Sequence, residues 1–257
     1  MTRLPSSALL LLTLLTFGTV SAQVADSLHV PEGKPGRMVV STLLAPTVLI
    51  GSGIATMYDR GFYSSYDAYD CIQRHYPGFQ TNIDTYLLLL PALSVYGLNL
   101  AGVKGEHRFF DRSIILLASV SLASITTGAI KNSTDVLRPD GSNYRSFPSS
   151  HTALAFVSAT FLYEEYKDRS IWYGIAGYSV ATASGVLRML NNKHWMSDVL
   201  VGAGIGILTT KAMYLLFPII KSRVSEHRAG NMDSARLSFF PYYVPDHFGV
   251  FMQYRIR

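Results

Sequence analysis

Long apolar stretches separated by short polar segments fill most of the chain after its first 37 residues. Stretches of about 20 apolar residues are long enough to cross a bilayer as helices, and shorter periodic ones form the cores of bundles. The pattern therefore predicts an all-α fold, a membrane helical bundle of about five to six helices. The predicted segments are residues 38–58, 84–103, 113–130, 151–166, 171–187 and 199–220.

Small residues change this picture in two ways. Pro46, Gly51 and Gly53 interrupt the first segment and predict a kink there. Several other segments are rich in Gly, Ser and Thr, which let neighbouring helices approach closely inside a membrane bundle. A soluble all-helical bundle would show the same small residues.

Residues 59–81 are aromatic and polar rather than continuously apolar. Tyr63, Tyr66, Tyr69 and Tyr76 recur at near-helical spacing. This spacing predicts an amphipathic helix that lies at a membrane interface, where tyrosine is enriched. The alternative is that these tyrosines simply pack against the bundle.

The C-terminal part of the chain has a different pattern. Residues 237–243 and 249–257 are aromatic and partly alternating, with Pro245 in the segment between them. Alternation with a turn signal predicts a small C-terminal β-hairpin. Because an isolated hairpin is marginally stable, we expect it to pack on the bundle or on a partner. The predicted domains are thus a bundle over residues 38–220 and a tail over residues 229–257.

Composition supports a membrane protein and argues against a nucleic-acid binder. Hydrophobic residues make up 49% of the chain and charged residues 15%, against about 25% charged in an average soluble protein. The net charge is +5, but the basic residues are scattered among short segments and form no stripe along one face. We therefore predict no nucleic-acid partner.

The first 22 residues have the features of an export signal. Arg3 precedes an apolar core, and the small residues Ser21 and Ala22 follow that core. We predict a signal peptide over residues 1–22, with an uncleaved membrane anchor as the alternative. Cys71 is the only cysteine, so the chain forms no internal disulfide.

Two cations follow the third apolar segment. Lys131 and Arg138 are seven residues apart, so on one helix they would face the same way, and Pro139 would end that helix. Arg binds two phosphate oxygens at once and Lys supplies a compact charge, so the pair suits a tetrahedral oxyanion. The alternative is that both side chains reach from a helix end towards water.

The next polar stretch precedes the fourth segment. Ser149, Ser150 and His151 stand where a helix should begin. Serine is a common N-cap, and a helix N-terminus also offers free N–H groups and a positive dipole end to a phosphate. The imidazole of His151 could protonate a leaving oxygen, since histidine has an unperturbed pKa near neutrality.

A histidine and an aspartate stand before the last segment. His194 and Asp198 are four residues apart, which places them on one face of a helix. The carboxylate would hold one imidazole nitrogen and leave the other free as a nucleophile. A purely structural pair is the alternative. We predict no metal, because no further ligands have suitable spacing and Arg188 and Lys193 would repel a divalent ion.

In order and spacing, these stretches resemble the type 2 phosphatidic acid phosphatase superfamily, which includes bacterial lipid phosphatases, periplasmic class A acid phosphatases and vanadium haloperoxidases. Its signature is Lys-x6-Arg-Pro, Pro-Ser-Gly-His and Ser-Arg-x5-His-x3-Asp, and Lys131, Arg138 and Pro139 match the first part fully. Ser150 replaces the usual glycine of the second part, and Leu187 the usual serine of the third. A glycine would tolerate positive φ or close approach to phosphate better than Ser150 does.

The resemblance covers about residues 84–217 and implies a role for each site residue. His194 would attack phosphorus to form a phosphohistidine, with Asp198 orienting it. His151 would protonate the leaving group and then assist water. The residues implied to bind the phosphate are Lys131, Arg138, Ser149, Ser150 and Arg188.

The function expected from this resemblance is a metal-independent phosphatase without a cofactor. Its substrates would be membrane lipid phosphate or diphosphate esters, such as undecaprenyl diphosphate, phosphatidate, phosphatidylglycerophosphate or a lipid A phosphate. The alternatives are a soluble exported acid phosphatase of broad specificity, a vanadate-dependent haloperoxidase, and a catalytically silent binder of phospholipid headgroups.

Charge in the loops predicts where the site faces. Residues 104–112, 164–169 and 221–228 are basic and would be cytoplasmic. This predicts an inner-membrane protein with a periplasm-facing active site, or a soluble periplasmic protein in the alternative. A cleaved signal followed by three full spans would place the site inside the cell, so one of the predicted spans, with residues 38–58 first among them, should not cross.

Overall fold

The computed structural model describes residues 35–58, 63–233, 237–244 and 247–254, and the surroundings of side chains in residues 43–58 and 63–223. The predicted signal peptide lies outside the described residues. Within them the chain forms eight helices and two strands: α1 (Pro35–Ala55), α2 (Ser65–His75), α3 (Ile83–Leu87), α4 (Leu90–Leu100), α5 (Phe109–Ser133), α6 (Ser150–Tyr166), α7 (Ile171–Leu190), α8 (Met196–Asp233), β1 (Leu237–Val244) and β2 (His247–Tyr254).

The predicted second span, residues 84–103, is wrong as a continuous helix. It is divided into α3 and α4, with Leu88 and Leu89 in a turn between them. Pro91 lies in the first turn of α4, where its missing N–H costs nothing, whereas a continuous helix would need that N–H to bond the Leu87 carbonyl oxygen. Neither short helix is long enough to cross a bilayer.

The aromatic segment after α1 contains a short capped helix. Ser64 is the N-cap of α2: its hydroxyl accepts a hydrogen bond from the Asp67 N–H, and the Asp67 carboxylate accepts one from the Ser64 N–H. This reciprocal capping box satisfies two backbone donors and fixes the start of the helix. Within the described part of the predicted segment 59–81, residues 63–81, only Ser65–His75 is therefore helical.

Helix α6 is the central helix of the part of the chain before Tyr214. Thirteen of its 17 residues are buried, and α4, α5 and α7 pack against it. Ala155 and Phe156 of α6 lie in one core cluster with Ala181 of α7 and with Ala203 and Ile207 of α8. Mostly small side chains in this cluster bring the helices close together.

Two glycines allow the closest approach between α8 and α6. A Cβ at Gly202 would lie 2.5 Å from the carbonyl oxygen of Ser149, and one at Gly206 would clash with the carbonyl oxygen of Ala153. Any larger residue would push the two backbones apart. The N-terminal half of α8 is thus held against the first turns of α6.

Two of the described helices are long and apolar enough to cross a membrane, Phe109–Ser133 and Met196–Arg223. They include the predicted segments 113–130 and 199–220. The most apolar part of α5 is only 22% buried, and Phe110, Leu117 and Ile125 are each more than two-thirds exposed. An apolar face this exposed suits lipid better than water.

The C-terminal residues form a second compact unit, which begins at Tyr214. Within it β1 and β2 pair antiparallel, in a register that runs from Leu237 opposite Tyr254 to Val244 opposite His247. The two residues that connect the strands lie outside the described part of the chain.

Candidate active site

Three motif stretches that are far apart in sequence meet near the N-terminus of α6. Electrostatic interactions link Lys131 to Arg138, Arg188 and Asp198. They also link Arg188 to both His151 and His194. The structure therefore brings three cations, two histidines and a carboxylate into one charged cluster.

Lys131 and Arg138 are close, but they do not lie on one helix as predicted. Helix α5 ends at Ser133, and Thr134 is already extended. The chain leaves the helix there because the Thr134 hydroxyl donates to the Phe147 carbonyl oxygen and Val136 pairs with residues 145–146. Chain reversal rather than helical periodicity thus brings the two cations together.

Ser149 forms the predicted N-cap of α6. Its hydroxyl oxygen accepts hydrogen bonds from the N–H of Thr152 at 3.3 Å and from the Thr152 hydroxyl at 2.9 Å. Its own N–H donates to the Asp198 carbonyl oxygen at 3.0 Å. The start of α6 is therefore tied directly to the first turn of α8.

Ser150 occupies its position without backbone strain. Among the described non-glycine residues only Asn192 has positive φ, so Ser150 needs no conformation that favours glycine. Its hydroxyl donates to the Thr127 hydroxyl on α5 at 3.1 Å. The serine side chain is thus held towards α5 by a neutral hydrogen bond.

His194 and Asp198 pair, but not across one helix face as predicted. Helix α8 begins at Met196, so His194 precedes it while Asp198 lies in its first turn. The Asp198 carboxylate caps this turn by accepting the Trp195 N–H at 2.9 Å, and the same oxygen lies 3.2 Å from Nδ1 of His194. The Ser146 hydroxyl donates to it as well, at 2.5 Å.

This arrangement fixes the orientation and charge of His194. With Nδ1 directed at Asp198, Nε2 points away from the carboxylate. Burial lowers the pKa of His194 below its usual range, the carboxylate of Asp198 opposes the shift, and the charges of Arg188 and Lys131 add to it. A neutral imidazole with Nε2 available is the form required of a nucleophile.

Unsatisfied polar atoms favour this cluster as a candidate binding site. Among buried side-chain nitrogen and oxygen atoms in the described residues, five have no hydrogen-bond partner. Four of them belong to the cluster: Nε of Arg138, Nε2 of His151, Nε of Arg188 and Oδ1 of Asp198. Buried donors without partners are costly, and the three nitrogens suit an anion with several acceptor oxygens.

Asp84 is a site residue that sequence reasoning missed. It lies in α3, is 1% exposed, and its Oδ2 is 3.0 Å from Nη1 of Arg188 and 3.6 Å from Nε2 of His151. Its other oxygen accepts a hydrogen bond from Asn191 at 3.3 Å. The only signal in the sequence is a carboxylate beside an apolar run, a pattern that predicts the start of a span.

A salt bridge fastens the two loops that carry Arg138 and His194. The carboxylate of Asp140 lies 2.8 Å from Nζ of Lys193. The backbone N–H of Asp140 donates to the Asn192 carbonyl oxygen. Partial burial alone would raise the pKa of Asp140, but hydrogen bonds from Lys193 and Ser142 outweigh it and lower the pKa to about 2. No group of three or more His, Cys, Asp or Glu residues suited to a metal ion occurs in the described ranges.

The fold and the cluster together define a helical protein with an oxyanion site beside a carboxylate-oriented histidine. Residues 112–221 match the family model described as PAP2 superfamily, so this part of the chain is similar to that superfamily. This match contains all of the predicted site residues and excludes Asp84.

A curated protein is also similar in sequence to part of the chain. The chain is 40% identical over 143 residues to a protein named lipid A 1-phosphatase from Porphyromonas gingivalis, a match that covers 55% of this chain and 32% of that protein. The chain thus spans about a third of the length of this curated relative.

Two solved structures share 22% identity with the chain, each with a TM-score of 0.46. The crystal structure of Aquifex aeolicus LpxE covers 62% of this chain and 99% of its own. That of a transmembrane PAP2 type phosphatidylglycerolphosphate phosphatase from Bacillus subtilis covers 68% of this chain and 93% of its own.

Proposed function

We propose that this protein is a metal-independent phosphatase that hydrolyses membrane lipid phosphate or diphosphate esters through a phosphohistidine. The observation that carries the proposal is the position of His194, which is buried, oriented by Asp198 and electrostatically coupled to Lys131 and Arg188. The name of the Porphyromonas relative supports a lipid A phosphate as the first substrate to test.

The first chemical step assigns His194 as nucleophile and His151 as acid. Nε2 of neutral His194 attacks phosphorus, and the bond from phosphorus to the leaving oxygen breaks with its electron pair on that oxygen. Protonated His151 gives its proton to the same oxygen, while Asp198 stabilises the positive charge on His194. Donors of Lys131, Arg138 and Arg188 bind the nonbridging oxygens as negative charge builds up. The N-terminus of α6, with the Ser149 hydroxyl and the Ser150 N–H, adds donors at the same place.

The second step reverses these roles. His151, now neutral, takes a proton from a water molecule whose oxygen attacks the phosphohistidine. The phosphorus–nitrogen bond breaks, its electron pair returns to Nε2 of His194, and inorganic phosphate leaves. The same three cations stabilise both transition states, which is why no metal is needed in this scheme.

The proposed setting is the inner membrane, with the site facing the periplasm. The exposed apolar face of α5 suits lipid, and Lys and Arg residues lie in the loops at the opposite ends of α5 and α6 from the site. A fusion of alkaline phosphatase after Asp140 is expected to be active in cells. An inactive fusion at this position beside an active one after Arg169 would contradict the orientation.

The decisive experiment measures phosphate release by purified protein in detergent with a chelator present. The panel contains a lipid A phosphate, phosphatidate, a prenyl diphosphate and one soluble ester. His194→Ala is expected to abolish release, and His75→Ala is the matched control because His75 is an exposed histidine on α2.

A trapping experiment tests the mechanism separately. Labelled substrate is expected to leave an acid-labile, alkali-stable phosphate on the wild-type protein and none on His194→Ala. Phosphate release that survives in His194→Ala would refute the assignment of His194 as the nucleophile. Release from the soluble ester alone would favour an exported acid phosphatase.

A further inference from the structure

Asp84 is a buried carboxylate that faces two residues of the proposed reaction. It lies 28 residues before the segment that matches the superfamily, which begins at residue 112. None of the three motif stretches contains it. Its side chain is 2% exposed and contacts Arg188 and His151 through one oxygen.

The contact with Arg188 leaves the rest of that guanidinium available for phosphate. Oδ2 of Asp84 is 3.0 Å from Nη1 of Arg188, while Nε of Arg188 is buried without a partner. A carboxylate that binds one Nη of a guanidinium fixes the plane of the guanidinium and the direction of its remaining donors. Asn191 holds the other oxygen of Asp84, so the carboxylate itself cannot rotate freely.

The contact with His151 concerns the proton donor. Oδ2 of Asp84 is 3.6 Å from Nε2 of His151, a distance for charge attraction rather than a hydrogen bond. Nε2 has no hydrogen-bond partner among the described residues. Burial and the charge of Arg188 lower the pKa of His151, and the carboxylate of Asp84 opposes both effects. Asp84 thus favours the imidazolium form, which is the form that must protonate the leaving oxygen.

We propose that Asp84 is a positioning residue for leaving-group protonation: its carboxylate, held by Arg188 and Asn191, favours the charged form of His151. The inference rests on the proposed phosphatase function and deepens it. Asp84 makes no bond to phosphorus and transfers no proton to the substrate, so its contribution is expected to depend on how much protonation the leaving group needs.

A pair of amphiphilic phosphate monoesters tests this dependence. One releases a nitrophenolate, which leaves without a proton, and the other releases an alkanol, which needs one. Asp84→Asn is expected to lower kcat/KM by about 10-fold to 100-fold for the alkanol ester, within the range of general acid catalysis, and by no more than about threefold for the nitrophenyl ester. Asp70→Asn is the matched control, because Asp70 is an exposed carboxylate on α2.

Two further variants separate positioning from folding. Asp84→Glu keeps the charge, so it should change the ratio of kcat/KM between the two esters less than Asp84→Asn does. On a His151→Ala background, Asp84→Asn should add less than about a twofold loss, because the group through which it acts is already gone. If Asp84→Asn yields no folded protein, Asp84→Glu is measured alone, and a lower rate with an unchanged ratio overturns the inference.

The outcomes distinguish this inference from the proposed function. An equal loss for both esters, or no loss for either, overturns the role of Asp84 and leaves the phosphatase intact. A wild-type protein that releases phosphate from neither ester overturns both.

Discussion

Two clusters of buried charge lie at opposite ends of α6, roughly 22 Å apart along the helix, and they differ in charge balance. At the N-terminal end three cations share the carboxylates of Asp84 and Asp198, and several donors have no partner. At the C-terminal end Glu165 is matched by Arg112, with Nε of Arg112 at 3.7 Å and Nδ1 of His107 at 2.9 Å. Arg112 also donates to the His107 carbonyl oxygen. The structural cluster also contains an unsatisfied donor, Nη1 of Arg112. The comparison therefore teaches that excess cation, rather than buried charge or a single unsatisfied donor, distinguishes a candidate binding site from a structural cluster.

The largest expected effect concerns the balanced cluster. Arg112→Ala would leave the buried carboxylate of Glu165 without its guanidinium and should lower the free energy of unfolding by about 3 to 5 kcal/mol. Thermal melting in detergent checks this. The double variant Arg112→Met, Glu165→Met should melt closer to wild type than Arg112→Ala does, because no charge remains unpaired. Equal melting temperatures for wild type and Arg112→Ala would remove the distinction between the clusters.

A substitution in the unbalanced cluster, at the N-terminal end of α6, should lower activity and leave stability nearly unchanged. Arg138 has a buried, unpartnered Nε and no carboxylate within salt-bridge distance among the described residues, so Arg138→Ala leaves no charge unpaired. We expect kcat/KM to fall by about 10²-fold to 10³-fold, as for loss of one oxyanion donor, with little change in melting temperature. Arg74→Ala, at an exposed arginine of α2, serves as the control. A destabilised Arg138→Ala protein would show that this residue is structural instead.

The pH dependence of kcat/KM should report the ionisation of His194, the proposed nucleophile. Because burial lowers the pKa of His194, its neutral form persists to lower pH than that of an ordinary histidine. The acidic limb of the profile should therefore lie below the usual histidine value of about 6.5. In Asp198→Asn the carboxylate no longer favours the imidazolium, so the limb should move to still lower pH as the rate falls. A limb that moves to higher pH would show that another group controls it.

The smallest expected effect is at the position that departs from the superfamily pattern. Ser150 has ordinary backbone geometry, and its hydroxyl binds Thr127. Ser150→Gly should therefore change kcat/KM by less than about threefold and lower stability by about 0.5 to 1 kcal/mol, the usual cost of glycine in a helix. A gain of 10-fold or more in kcat/KM would mean that the serine hinders phosphate binding.

Periodicity in sequence predicted most helices of this fold but not how the site is assembled. The segments 151–166 and 171–187 agree closely with α6 and α7 because apolar residues dominate both. The helix-face arguments for Lys131 with Arg138 and for His194 with Asp198 were wrong, since in both stretches backbone and capping hydrogen bonds end or begin a helix between the two residues.

Other parts of the site depended on contacts that no local pattern contains. Asp84 and Arg188 are 104 residues apart in sequence, and only the packing of α3 against α7 brings them together. The predicted span over residues 84–103 hid this carboxylate, because a charged residue at a span boundary requires no partner. A motif search that begins at Lys131 would also miss Asp84, because Asp84 lies before the first motif residue.

Gly202 and Gly206 have a consequence for recognising active relatives by sequence. These glycines set the spacing between the helix that carries His151 and the helix that carries Asp198. A homologue can keep every charged residue of the site and still carry a larger side chain at either position. Such a chain would hold its counterparts of His151 and Asp198 at a different separation. Two residues with no functional group are therefore a useful filter for separating working enzymes from inactive members of the superfamily.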